Sequence, residues 1–386
     1  MGVPLMQQYR VARYVLEQKL RGRQRYALVL MLEPLFRCNL ACAGCGKIDY
    51  PDEILDKRLS VAECMAAIDD CGAPIVSIAG GEPLIHKEMP QIVEGFIERE
   101  KFVYLCTNAL LLERRMKDYR PSPYLTFSIH LDGTRQRHDA SVCREGVFDA
   151  CVAVIEKARA AGFRVTANCT LFQGETAPEV AEFMDTAMAL GVEGVTISPG
   201  YSYERAPRQD VFLKRRASKQ LFRDLFKLGT SRRGKRRWYF NQSPLYLDFL
   251  AGNQAYQCTP WGNPTRNVFG WQKPCYLLVG EGYAKTYREL MEETEWERYG
   301  TGRNPKCNDC MVHCGYEATA VNDAFRSPLK ALRVMLAGPR TDGEMAPEPE
   351  IVYREEALPR PHLVGKGPGT VATIAAPVSR HRKASG

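Results

Sequence analysis

The stretch Phe36-Arg37-Cys38-Asn39-Leu40-Ala41-Cys42-Ala43-Gly44-Cys45-Gly46 decides how this 386-residue chain is read. It sets three cysteines at C-x3-C-x2-C spacing directly after an apolar run, Ala27-Leu28-Val29-Leu30-Met31-Leu32, which reads as a fully buried strand. Thiolates so spaced can wrap a loop around a soft metal centre, and cysteine sulfur is the ligand of iron–sulfur clusters. Three thiolates on a four-iron cluster leave one iron without a nearby side-chain ligand. That corner is either filled by a remote fourth cysteine or kept open for a substrate, as a catalytic metal keeps an open position. A zinc knuckle would carry a fourth Cys or His close by, and the nearest histidine is His86. A disulfide framework suits short secreted chains, which this is not.

Outward from that loop, strand and helix patterns alternate six times. Strands are expected at residues 26–33, 74–79, 102–106, 125–129, 163–171 and 194–198, with helices near 60–71, 88–100, 111–118, 147–161 and 178–190. Ser60 followed by Glu63 makes a capping box at the first of these helices. The strands are apolar rather than alternating, which argues a parallel sheet covered by helices. Six units are too few for an eight-stranded barrel, so the expected fold is an α/β, open, partial (β/α)6 barrel. The chain divides into a basic N-terminal helix (1–25), the partial barrel (26–205), a cysteine-containing C-terminal extension (206–337) and a tail rich in Pro, Gly, Ala and Arg (338–386), expected to be mostly disordered.

The cysteine loop, with the motifs that follow it in order, resembles the signature of the radical S-adenosylmethionine (radical SAM) enzymes. Ala79-Gly80-Gly81-Glu82-Pro83 looks like that family's GGEP motif. Thr107-Asn108 ends the third strand. Ser128-Ile129-His130-Leu131-Asp132-Gly133, then His138-Asp139 and Gly146-Val147-Phe148, look like its fourth-strand block. The closer resemblance, from near residue 1 to about 335, is to the hopanoid-biosynthesis branch, the adenosylhopane synthases.

The resemblance implies that Cys38, Cys42 and Cys45 hold a [4Fe–4S] cluster whose fourth iron is chelated by the amino and carboxylate groups of S-adenosylmethionine. It implies that the loop Gly80, Gly81, Glu82, Pro83 receives the amino group, with Glu82 as its acidic partner. Glycines without a Cβ would let the backbone approach that ligand closely. Asn108, Ser128, His130 and Asn168, polar residues at strand ends, are candidates for the ribose or the methionine carboxylate, though each also fits a satisfied loop cap. The implied reaction is one-electron cleavage of the sulfonium, followed by addition of the 5′-deoxyadenosyl radical to the terminal alkene of diploptene. The tertiary carbon radical so made needs one hydrogen atom. A thiol S–H bond is weaker than a tertiary C–H bond, which points to Cys106 as donor, with Cys169 and Cys143 behind it; a free cysteine is also commonly a small buried hydrophobe.

Composition is consistent with this reading. No run approaches a membrane span, and Met1 to Arg10 has no apolar h-region. Fourteen cysteines without a signal suggest reduced thiols and metal ligation in the cytoplasm. The formal charge of +8 is local: residues 10–25, Lys214-Arg215-Arg216 and Arg232-Arg233-Gly234-Lys235-Arg236-Arg237. A solvated face, a nucleic-acid patch and attraction to anionic lipid headgroups compete for these clusters. The lipid surface, at the inner face of the cell membrane, is preferred to nucleic acid because Trp238-Tyr239-Phe240 adjoins the last cluster. A wide apolar channel for the triterpene would draw on Phe172, Tyr201, Tyr203, Phe240, Tyr246 and Phe249. The reductant would be an external one-electron carrier such as flavodoxin or ferredoxin.

A second cysteine region, Cys258, Cys275, Cys307, Cys310 and Cys314, somewhat resembles the auxiliary-cluster extensions of radical SAM enzymes that modify peptides. It is compatible with one more cluster, with zinc or with packed thiols. A peptide-modifying radical SAM enzyme is therefore the second reading. A non-catalytic iron–sulfur redox or nucleic-acid-binding protein is the third, and an open three-cysteine site with a GGEP loop argues against it.

Overall fold

The computed structural model describes residues 2–201, 204–229 and 238–351. Six parallel strands lie side by side in chain order: β1 (Val29–Glu33), β2 (Ile75–Ile78), β3 (Phe102–Thr107), β4 (Leu125–His130), β5 (Arg164–Leu171) and β6 (Val195–Pro199). Helices return the chain between them, as parallel pairing requires. The helix Val61–Cys71 starts where sequence places it: Ser60 and Glu63 close a reciprocal capping box, and Gly72 ends the helix in the left-handed region at φ 66°.

The partial α/β barrel is as expected, but the sheet goes further. The extension adds β7 (Thr265–Asn267), parallel to β1, and then β8 (Gly270–Gln272) and β9 (Tyr283–Ala284), both antiparallel. The described sheet therefore has nine strands. The outer face of β1–β6 packs against helices through Leu30, Val76, Leu105, Phe127, Ala167 and Ile197, all fully buried. The inner face carries Met31, Ser77, Cys106, Ser128, Asn168 and Thr196, which line a cavity. Period-2 alternation thus exists in these strands, hidden in the sequence by small residues on the inner face.

The helix Leu5–Leu20 is moored to the barrel by Gln7 Nε2 donating to Tyr104 Oη at 3.0 Å and by Arg10 on Glu100 at 2.7 Å. Part of the second basic cluster is not surface. Arg215, on the helix Arg215–Gly229, is 4% exposed and pairs with Glu348 at 2.8 Å; Lys219 on the same helix also pairs with Glu348. Residues 338–351, grouped by sequence with the tail, thereby meet that helix, while residues 352–386 and the cluster Arg232–Arg237 lie outside the described residues. Trp238 is buried, its indole N–H donating to Asp185 at 2.7 Å, and Tyr239 is exposed. No helix of the described residues is long and apolar enough to cross a membrane.

Candidate active site

A cavity of about 840 Å³ occupies the barrel interior, with Cys38, Cys42 and Cys45 at the C-terminal ends of the strands. That is where parallel α/β folds gather their chemistry. Two of the three sulfurs accept backbone hydrogen bonds from the residue two positions on: Leu40 N–H to Cys38 Sγ and Lys47 N–H to Cys45 Sγ, both 3.5 Å. Burial pushes the Cys38 thiol up to about 11 and raises Cys42 and Cys45 as well, Cys42 further by its two cysteine neighbours. Thiolates here therefore need positive charge brought to them, as a cluster of iron ions brings it. Sulfurs facing one cavity, with amides aimed at two of them, fit an iron–sulfur cluster.

The glycine loop braces the cysteine loop. Gly81 N–H donates to Leu35 O at 3.0 Å and Glu82 N–H to Arg37 O at 3.0 Å. A Cβ on Gly80 would stand 2.4 Å from Leu35 O, and one on Gly81 2.2 Å from Arg37 O. Contact with the neighbouring backbone therefore requires both glycines, beside any close approach to a ligand. Glu82, almost fully buried, accepts from Leu84 N and Thr107 Oγ1 on one oxygen and from Asn108 N on the other, at 2.8–3.1 Å. Burial lifts its carboxyl to about 6 against those three bonds. Pro83 opens the short turn Pro83–Ile85.

Asn108 turns its amide to the cysteine loop, donating to Asn39 Oδ1 at 2.7 Å and to Cys38 Sγ at 3.8 Å. Asn108 also lines the cavity. His130 Nε2 lies 3.0 Å from Asp132 Oδ2, and Asp132 also accepts from Ser141 Oγ and Thr170 N, while its own N–H donates to His138 Nδ1. His130, Asp132 and His138 crowd their polar atoms within 4.8 Å, but those bonds occupy them. Burial pushes the His130 imidazole down, yet the Asp132 carboxylate leaves it raised on balance. Ser128 and Asn168 line the cavity.

Cys106 also lines it, 3.6 Å from Ser77 Oγ and paired across the sheet with Ser128. Cys169 is buried in the helix-facing core and Cys143 is exposed on a loop. Of the channel aromatics, Phe172, Tyr201 and Phe240 line the cavity, Tyr246 and Phe249 are fully buried in the core, and Tyr203 lies outside the described residues.

Sequence reading passed over the buried pair Lys47–Glu33, 2.7 Å apart beside Cys45, and the roles of Asn39 and Asp132. The one signal for the pair was a charged residue at the end of an apolar strand with a lysine just past the cysteines. The five cysteines of the second region all line a separate cavity of about 210 Å³, which shares Tyr201 and Asn263 with the larger one.

Fold and site together define a class: an α/β partial barrel built to hold an iron–sulfur cluster beside a small-molecule cavity. Residues 32–187 match the radical SAM superfamily, and residues 195–334 match a domain of unknown function, DUF3463. Residues 32–187 are thus similar to a superfamily whose cofactors are a [4Fe–4S] cluster and S-adenosylmethionine, and the three cysteines and the cavity beside them fit that pair.

Among curated proteins, the chain is 30% identical over 139 residues to the Fe-coproporphyrin III synthase of Methanosarcina barkeri, covering 35% of each. It is 28% identical over 170 residues to the GTP 3′,8-cyclase of Ectopseudomonas mendocina, covering 42% of this chain and 51% of that one. The chain spans 35% of the length of the first of these relatives and 51% of the second. Among solved structures, Streptococcus suis SuiB superposes with a TM-score of 0.60 at 15% identity, covering 79% of this chain and 75% of that one. The enzyme anSMEcpe, bound to AdoMet and a peptide, superposes with 0.52 at 16% identity, covering 80% and 98%. Both likenesses extend past the barrel and concern the fold.

Proposed function

We propose that the chain is an adenosylhopane synthase, joining the 5′-deoxyadenosyl group to the terminal alkene of the triterpene diploptene. The observation that carries this reading is the cavity. It extends from the cluster cysteines through the barrel to Val11, Phe325 and Met335 beyond the strand starts, and its volume suits one large apolar ligand. The cluster with S-adenosylmethionine bound supplies a carbon-centred 5′-deoxyadenosyl radical. The chain's own residues do the rest. Glu82 offers a buried carboxylate to the amino group, and Ser128 and Asn168 offer polar contacts from the barrel wall. Addition at the CH2 end of the alkene breaks its π bond and forms the new carbon–carbon bond, leaving a tertiary radical. Cys106 gives that radical its hydrogen atom, and the thiyl left behind takes an electron from an external one-electron reductant and a proton from water.

The far end of the cavity supports a lipid substrate. Leu5, Leu16 and Leu20 on the N-terminal helix and Leu329, Met335 and Leu336 on the helix Pro328–Ala337 are all exposed, and Met335 also lines the cavity. Arg13 and Lys19 lie on the first of these helices and Arg333 on the second, and Arg326 ends the helix His313–Arg326 just before it. Leucines flanked by cations suit an anionic bilayer surface, so the enzyme would draw its substrate from the cytoplasmic leaflet. Binding to anionic vesicles should weaken as salt rises.

Anaerobic incubation of the reconstituted protein with S-adenosylmethionine, a reductant and diploptene, followed by mass analysis, tests the reading. An adenosyl–triterpene adduct is expected; 5′-deoxyadenosine without an adduct overturns it. The pocket of five cysteines favours one other reading, a peptide-modifying radical SAM enzyme, for which the same incubation with diploptene should be barren.

A further inference from the structure

We infer that Cys258, Cys275, Cys307, Cys310 and Cys314 enclose a second metal centre, a [4Fe–4S] cluster held by four of the five. Three separate facts converge on it. First, residues up to 56 apart in sequence bring every one of these sulfurs to the wall of one cavity of about 210 Å³. Packed interiors leave few voids, and an array of thiols serving only as small hydrophobes would close on itself.

Second, all five are free cysteines, none joined to another as a disulfide, so each keeps a sulfur for a metal.

Third, the backbone makes room for a sulfur from the other loop: a Cβ on Gly315, next to Cys314, would stand 2.8 Å from Cys258 Sγ. Several thiolates in one dry pocket are tolerable only around a cation. A single zinc ion would draw its sulfurs tightly about one point. Among the described residues, the group of three whose ligand atoms all fall within 4.8 Å is His130, Asp132 and His138, and the cysteines form no such group. A cube of four irons carries its thiolates on separate corners, which suits sulfurs spread around a void. With four side-chain ligands this centre keeps no open iron, so it binds no S-adenosylmethionine. It meets the first site across Tyr201, which lines both cavities.

The test is the triple variant Cys38/Cys42/Cys45→Ala, reconstituted anaerobically with iron and sulfide. About four irons and four sulfides per chain are expected, with an EPR signal that S-adenosylmethionine leaves unchanged. A folded variant that keeps no iron, or that holds one zinc, overturns the inference. Should the variant fail to fold, the wild-type chain decides: about eight irons support a second cluster and about four exclude it. Neither count depends on a lipid substrate, so loss of the adenosylhopane reading would leave this result standing, and the reverse.

Discussion

Asn108 Nδ2 donates to Asn39 Oδ1 at 2.7 Å and reaches Cys38 Sγ at 3.8 Å, so the end of β3 holds the first cluster cysteine in place. Partners behind a metal ligand set its orientation, and losing one typically costs about 10–100-fold in affinity or activity. Asn108→Ala should therefore lose iron faster to a chelator and cleave S-adenosylmethionine about 10–100-fold more slowly. Chelator-challenge kinetics matching the wild type would show that the bond does no positioning.

Gly81 lies where a methyl group cannot go, its Cβ position standing 2.2 Å from Arg37 O and 2.5 Å from Phe36 O. Both neighbours are backbone, so neither can swing aside. Gly81→Ala should destabilise the fold by about 1–3 kcal/mol and lower the iron content on reconstitution. Gly280→Ala, whose Cβ would meet nothing nearer than Glu204 at 3.5 Å, is the control expected to change neither. Melting curves and iron counts on the pair check this.

Glu82 carries a carboxyl raised from 4.5 to about 6 by burial. A raised carboxyl stabilises the ligand-free fold fully below about 4.5, and that contribution is lost as pH rises through about 6. Binding an ammonium group works the other way, because it favours the ionised carboxylate. Affinity of the cluster-loaded protein for S-adenosylmethionine should rise about tenfold between pH 5 and pH 7 if the ionised form alone binds. In Glu82→Gln the profile should be flat and the affinity lower throughout. A wild-type profile without slope would remove Glu82 from amino-group recognition.

How much of this was legible in the sequence depends on distance along the chain. Apolar runs, caps such as Ser60 and turn glycines are local signals, and they carry six strands and their helices. The strands β7 to β9 are two or three residues long, too short for any periodicity, and Thr265–Asn267 is a strand only because it docks on the free edge of β1. Gly80 and Gly81 stand out as a motif, but the carbonyls that demand them belong to another loop. Arg215 reads as surface in a basic run; it is buried because Glu348, 133 residues on, arrives to meet it. Tyr246 and Phe172 are indistinguishable as aromatics, and tertiary packing alone sends one to the core and the other to the cavity.

Cys106 is the thiol that the barrel wall presents to the cavity from β3, whereas on β5 the inward positions are Asn168 and Thr170, so Cys169 between them faces the helices. Thiol protons exchange with solvent. If Cys106 quenches the tertiary radical, wild-type enzyme in D2O should place one deuterium on that carbon of the adduct. Cys106→Ala should still cleave S-adenosylmethionine and join adenosine to the alkene, but give unreduced products or products reduced without stereochemical control. Cys169→Ala should behave as wild type, label included. Mass spectra and proton NMR of the three products decide the matter: normal, singly deuterated adenosylhopane from Cys106→Ala would assign the hydrogen to another donor.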